Sequence, residues 1–530
     1  MAGHAVQELQ PGYANGPLHE KGHVGHEEVV HDHDLAKDVD AEELHHLGHL
    51  SEEELLLEKK LKRKIDSLIM PLVILVYLMN YIDRNNYAAA RLQGLEEDLH
   101  LHGSQYQTGL SILFVGYVLM QVPSNAMLNF SGRPSWYLGF FTTVWGLVSL
   151  LTSQVHNFGE IVACRFILGL VEAPFFAGVL FYLSKWYTKS ELNLRMSIFY
   201  SGSLLSGAFG NLIAAGILSG LAGKQGLAAW QWLYIIEGSI TMGVGIAIVF
   251  FLPDFPHTWK LLTPELKAVA NRRMALDAAE ADIDTEGGMS QLRGIKAAFC
   301  DPKTYLLAIM YHGTTGAAGF QNFFPSLTKT LGYSSTISLV LVAPPYLFMV
   351  AWSMCHGIMS DRFKNRFWFF MYPIPLVFAG ALIFMFCDGF GPRYFSLFLL
   401  VFIFATNGTI YAWIANAIPR PPAKRAAALA FVNSVGNAAS IWTPFTYSAA
   451  DAPHYKVAMG INIGLTGMSA ICAVLLRIML TKQNNRLARM ENADAELTEA
   501  DMVVLRKTAE MEGISIAAAR QLQKGFRYVI

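Results

Sequence analysis

Between residues 67 and 480 the chain runs as apolar stretches of roughly 20 residues broken by short polar connections. A stretch of that length, wound as a helix, crosses the roughly 30 Å of a bilayer's hydrocarbon. In hydrocarbon no water satisfies the peptide groups, so only helices and closed barrels can span it. Barrel strands are about 10 residues long and alternate in polarity, and these runs do neither. The chain therefore reads as an all-α membrane protein with about twelve transmembrane helices. They are expected near 67–88, 105–129, 135–154, 158–184, 195–220, 231–252, 304–326, 335–360, 367–387, 394–417, 425–448 and 457–480. Composition agrees: 53% of residues are hydrophobic and 15% charged, against about 25% charged in soluble domains.

The connections sort by charge. "EKKLKRK", "SGRPSW", "KWYTKSELNLR", "DRFKNR", "RPPAKR" and "KQNNRLAR" carry most of the loop Lys and Arg, as does the segment 253–303. The alternate loops, near Arg91, Gln154, Lys224, Lys329, Arg393 and Lys456, carry one basic residue or none. Positive charge is retained on the cytoplasmic side, so both termini are expected there, in the plasma membrane or an internal one. The long segment falls after the sixth span. The expected domains are a tail (1–66), a six-helix bundle (67–252), a linker (253–303), a second six-helix bundle (304–480) and a C-terminal tail (481–530). Two related bundles around a central site is the layout of a secondary transporter.

Residues 1–50 hold nine of the sixteen histidines. Without fixed ligand spacing they read as a disordered acidic tail rather than a metal site. The five cysteines show no paired spacing and suggest no disulfide framework or zinc site. No cleavable leader is visible, and the first span is expected to direct its own insertion.

Charges inside the spans are the candidate chemistry. "MNYIDRNNY" places Asp83 and Arg84 near the end of the first span. The fourth span, "EIVACRFILGLVEAPFFAGVLFYLSKW", carries Arg165 and Glu172 seven residues apart, on one helical face. Gly169 between them leaves room for another helix. Intramembrane ions of this kind are functional candidates by default, although Arg84 near a span end can also snorkel to the interface. Burial strengthens a carboxyl's hold on its proton and a close Arg weakens it. An anion that draws the Arg away would let the acid take a proton. Asp83 and Glu172 are therefore the expected proton-coupling residues, and Arg84 and Arg165 the expected anion-binding ones.

A second marker, "HGIMSDRFKNRFW", sets Gly357, Asp361, Arg362 and Arg366 at a G-x-x-x-D-R-x-x-x-R spacing in a basic loop. Asp361 at a helix junction can cap N–H groups and pair with Arg, which suggests a gate. Polar residues expected to face the pore are Tyr81, Tyr117, Gln121, Gln321, Asn322, Asn433 and Asn437. Helix-to-helix hydrogen bonding is their alternative role. His312 and His356 read as packing histidines. Gly202, Gly207, Gly210 and Gly216 in the fifth span read as close-packing positions.

The Asp-Arg pair, R-x-x-x-G-x-x-E-A and the loop after the eighth span together resemble the major facilitator superfamily. "FFPSLTKTLGYSS" followed by "APPYL", "WQWLYIIEG" and "AKRAAALAFVNSVGNAASIWTPFTY" narrow the resemblance to the anion:cation symporters, and within them the fungal allantoate permease group. It covers roughly residues 66–485. It implies two six-helix bundles and proton-coupled uptake of a small organic carboxylate, with its charged pairs on Asp83, Arg84, Arg165 and Glu172. One departure stands out: the first-half loop, "NAMLNFSGRPSW", keeps Arg133 but has no Asp. An exporter of an acidic metabolite or a non-transporting sensor are the other readings. No nucleotide loop or nucleophile motif points to an enzyme, and no cofactor, metal or nucleic acid is implied. The expected partners are the anion, protons and lipid, for a monomer.

Overall fold

In the computed structural model every expected span is occupied by helix. The structure describes residues 51–131, 133–256, 259, 262–282, 291–419, 421–491, 498–512, 516, 517, 520 and 526–529. The histidine tail lies outside them. No strand occurs among the described residues. The chain divides into units Met1–Leu55 and Leu56–Ile530.

The first-half helices are α1 (Glu52–Leu92), α2 (Gln105–Ser131), α3 (Pro134–Leu151), α4 (Phe158–Ser184), α5 (Lys189–Gly220) and α6 (Ala229–Phe251). After the linker helices Pro264–Asp282 and Gln291–Phe299 come α7 (Pro302–Ala317), α8 (Ser335–Phe363), α9 (Arg366–Phe386), α10 (Phe390–Ala417), α11 (Pro422–Trp442) and α12 (Lys456–Glu491). The starts follow local rules. Asn157 accepts the Glu160 N–H at 3.0 Å, Asp301 the Lys303 N–H at 3.0 Å and Asn365 the Trp368 N–H at 3.0 Å, each satisfying an orphan donor of a first turn. Pro345 inside α8 cannot bond the Leu341 carbonyl one turn back. Tyr394 of α10 supplies the missing donor at 3.1 Å.

Nine helices among the described residues are long and apolar enough to cross a bilayer. Of the other expected spans, α2 is helical throughout Gln105–Ser131, while α7 is interrupted and α11 is less apolar. α7 stops at Ala317 and gives way to a 3-10 turn, Ala318–Phe323, before a short helix, Phe324–Lys329. α11 carries the polar residues Asn433, Asn437 and Ser440.

Helices approach most closely at glycine. A Cβ on Gly169 of α4 would strike the Leu113 carbonyl of α2, and one on Gly116 would strike the Phe166 carbonyl. In α5, Gly207 packs against the Tyr346 ring of α8, while Gly202 and Gly210 meet Tyr77 and Ile82. Gly216 has open space and does not share that role.

The core has three parts. One cluster unites both halves at the end remote from the linker, joining Tyr87, Tyr106 and Trp230 to Phe323, Tyr346 and Tyr447. At the linker end each half has its own cluster, around Trp145, Tyr182 and Phe199 in the first and around Phe370, Trp413 and Leu476 in the second. The halves are thus sealed together at the far end and packed separately at the linker end.

Candidate functional site

A cavity of about 110 Å³ lies between the halves. Its first-half wall includes Tyr81, Arg84 and Asn85 of α1, Phe114 of α2 and Arg165 of α4. The second-half wall is uncharged: Tyr311 of α7, Gln321 and Asn322 of the 3-10 turn, Asn407 of α10, and Asn437 and Ser440 of α11. The break after α7 has a direct consequence, because it carries Gln321 and Asn322 to the wall where a continuous helix would have run past.

Helical geometry turns neighbours in sequence to different surroundings. Arg84 faces the cavity, and its Nε is ion-paired with Glu172 Oε1. Asn80 donates to the same oxygen at 2.7 Å. The Arg84 guanidinium lies 4.8 Å from the Tyr117 ring and 5.4 Å from that of Tyr81, a cation–π setting that holds a charge in place of water. Asp83, one residue earlier, points away from the cavity into the first half. It accepts from Trp145 Nε1 at 2.5 Å, Thr241 Oγ1 at 3.2 Å and Ser149 Oγ at 3.3 Å. Arg165 donates from Nε to the Gly109 carbonyl at 3.3 Å and lies over Tyr87 at 4.5 Å. Its Nη1 is buried without a hydrogen-bond partner among the described residues.

The expected site residues therefore separate into groups. Tyr81, Arg84, Arg165, Gln321, Asn322 and Asn437 line the cavity. Tyr117 and Glu172 stand just behind Arg84. Asn433 is one layer back: it accepts from Asn437 at 3.1 Å and from Tyr411 at 2.8 Å, and Tyr411 shares a 3.0 Å hydroxyl bond with Tyr311. Gln121 is half-buried on α2, outside the lining set. His312 sits between the Val435 carbonyl at 2.8 Å and Trp442 Nε1 at 3.3 Å, in a packing position. His356 likewise bridges Tyr372 and Thr409, both at 2.8 Å.

At the loop after α8, Arg366 pairs with Asp361 at 2.7 Å and with Ser360 at 2.7 Å. Asp361 and Arg362 are exposed, and Gly357 has open space around it. The helix cap at this junction is Asn365 rather than Asp361. In the first half, the acid absent from the α2–α3 loop arrives from elsewhere in the chain: Asp254, after α6, accepts from Ser135 Oγ at 2.6 Å.

Several residues escaped the sequence reading. Asn407 and Tyr311 line the cavity, although neither stands out from the chain. Glu237 lies in a quoted motif but received no role. It is 1% exposed, and both its carboxyl oxygens lack a hydrogen-bond partner among the described residues. Its spacing, four residues before Thr241 on the same helix, was the available clue.

The profile described as Major Facilitator Superfamily matches residues 73–444. The chain is 34% identical over 450 residues to "MFS-type transporter cnsO" of Penicillium expansum, covering 82% of this chain and 86% of that one. It is 29% identical over 445 residues to "Major facilitator-type transporter hxnP" of Emericella nidulans, covering 81% and 87%. Among solved structures, a bacterial homolog to the human lysosomal transporter Spinster, inward-facing and occupied, superposes with TM-score 0.61 at 13% identity, covering 78% of this chain and 97% of that one. A D-xylose-proton symporter does so with TM-score 0.57 at 14% identity, covering 77% and 96%. The chain belongs to the major facilitator superfamily, and is a secondary transporter rather than an enzyme.

Proposed function

We propose that this transporter carries a small organic carboxylate together with protons, by alternating access, in the manner of the anion:cation symporters and their allantoate permease group. The observation behind this reading is the asymmetry of the cavity: two arginines on one wall, and only amides, hydroxyls and aromatic rings on the other. Arg offers a carboxylate two parallel hydrogen bonds. Glu172 neutralises Arg84 in this structure. A substrate carboxylate that engages Arg84 and Arg165 displaces Glu172, which then takes a proton. Asp83 is the second acid in this scheme, acting from the far side of α1. Tyr81 and Tyr117 steady Arg84, and Asn433 steadies Asn437. The loop of Gly357, Asp361, Arg362 and Arg366 serves as a gate on the cytoplasmic side, where both termini lie. The working unit is a monomer of two bundles, 67–252 and 304–480, in the plasma membrane.

The test is accumulation of labelled monocarboxylates and ureides by intact cells, with and without a protonophore. Uphill uptake of one of them that collapses with the proton gradient supports the reading. Accumulation unaffected by the protonophore would overturn proton coupling, and loss of label from preloaded cells would reverse the direction.

A further inference from the structure

Away from the helix ends, the six spans of the first half carry three acids, Asp83, Glu172 and Glu237, against two bases, Arg84 and Arg165. The acids differ in their surroundings. Glu172 is paired with Arg84. Asp83, 1% exposed, is supplied with donors: Trp145 and Ser149 from α3, Thr241 from α6, and Asn86 Nδ2 at 3.5 Å. Glu237, equally buried, has no donor on either carboxyl oxygen among the described residues. It stands one turn before Thr241 on the face of α6 that reaches Asp83, and Asn86 lies beside both carboxyls. A Cβ at Gly238 would lie 2.5 Å from Leu150 N, and one at Gly146 2.5 Å from Met242 N. With α3 and α6 in backbone contact, α6 cannot turn Glu237 elsewhere without losing that packing.

Ionised, Glu237 would be a buried charge without a hydrogen bond and close to the Asp83 carboxylate, a strongly unfavourable arrangement. Asp83 is the charged group that acts on it directly. Tyr234, on the same helix, also feels Arg165 of α4 and Tyr106 of α2. α3, and α5 beyond Arg195, bring no charged residue. With Glu237 neutral the interior balances: Asp83 and Glu172 oppose Arg84 and Arg165. It still balances when a substrate carboxylate enters and Glu172 takes a proton, because one negative charge replaces another.

We propose that Asp83 and Glu237 form an acid pair that binds a single proton, held by Glu237 in this structure, and that this proton lets α1 pack against α3 and α6. The pair is a proton site separate from Glu172. It lies behind α1 as seen from the cavity, and it keeps its proton while Glu172 exchanges one with substrate. The inference does not depend on which substrate is carried.

The test uses purified protein without ligand and reads the infrared carbonyl stretch of protonated carboxylic acids as pH is raised from neutral. The native protein should show such a band at neutral pH, and Glu237→Gln should remove it. Asp83→Asn takes away the neighbouring negative charge, so the band should outlast the native one to higher pH or, where the balance of interior charge dominates, fade earlier; a midpoint unchanged from native would overturn the pairing. The native unfolding temperature should fall as the band fades, while that of Glu237→Gln should hold over the same range. An equal fall in both would overturn the role in packing. Should Glu237→Gln fail to fold, native protein labelled with carbon-13 at the glutamate side-chain carboxyl answers instead. The label should shift the band, and a band that is absent or unshifted would overturn the assignment of the proton to Glu237.

Discussion

Arg84 is held by one salt bridge and three aromatic rings, those of Tyr81, Phe114 and Tyr117, in a cavity wall. Removing one partner of a buried ion pair costs about 3–5 kcal/mol, and each 1.4 kcal/mol or so is tenfold in affinity. Arg84→Ala is therefore expected to weaken substrate binding at least a hundredfold. Arg84→Lys should remain weak although charge is retained, because an ammonium cannot reproduce the planar fork. Substrate-induced thermal stabilisation measures both, and full stabilisation of Arg84→Ala would place the anion elsewhere. Asp361 presents the opposite case. Its side chain is 74% exposed beside Arg366, and exposed pairs contribute about 0–1 kcal/mol. Asp361→Asn should leave the unfolding temperature within a degree or two of native while transport falls several-fold. A matched loss of stability would show a structural role instead of a gate.

Elements outside the spans dock by specific pairs. Arg273 of the linker helix Pro264–Asp282 is buried against Glu58, Glu191 and the Trp186 carbonyl, fastening that helix to the first half. The C-terminal helix Glu499–Glu512 is held through Asp501, which is bonded by Thr498 at 2.6 Å and by Arg486 and Arg489 of α12 at 2.7 and 2.8 Å. The Thr498 hydroxyl first, then the two arginines, hold its carboxyl well below the usual carboxylate range. A depressed folded value stabilises docking wherever pH exceeds the free value of about 3.9, and the effect fades only as pH falls through the folded value. Hydrogen exchange of residues 499–512 should be slow to the same degree from pH 5 to pH 8, after correction for intrinsic rates. Asp501→Asn should speed it at every pH in that range. A native protection factor that changes steeply between pH 5 and pH 8 would contradict this account.

The whole molecule is closed at one end by packing that joins the halves. Gln107 of α2 donates to the Tyr447 carbonyl at 3.1 Å, Tyr106 meets Phe323 edge-on at 5.9 Å, and Gly207 of α5 admits the Tyr346 ring of α8. A Cβ at Gly207 would lie 2.8 Å from that ring, so a larger side chain forces the halves apart. Overpacking of this kind typically costs about 1–3 kcal/mol, charged here to the far-end-closed state alone. Gly207→Leu should shift the balance roughly tenfold toward far-end-open forms. Spin labels at His102 and Ser334, on exposed far-end loops of the two halves, should report a larger population of long distances. An unchanged distribution would show that Tyr346 simply turns aside.

That the chain is all helical, and where its helices run, was legible in the sequence because both depend on local quantities: run length and hydropathy. The pairing of first-span and fourth-span ions was partly legible, since Arg165 and Glu172 share a face at a spacing of seven. The tertiary structure decided which ions meet. Arg84, not Asp83, turns to the cavity and to Glu172, while Asp83 turns to Trp145, Ser149 and Thr241 on helices far away in sequence. It also placed Asn407 and Tyr311 on the wall, put Glu237 in the interior of the first half, and brought Asp254 to the loop that lacks its own acid. Such neighbours are set by how helices rotate and cross; Gly169 hinted at one such approach, but its partner Gly116 and the residues it brings together leave no periodic trace along the chain.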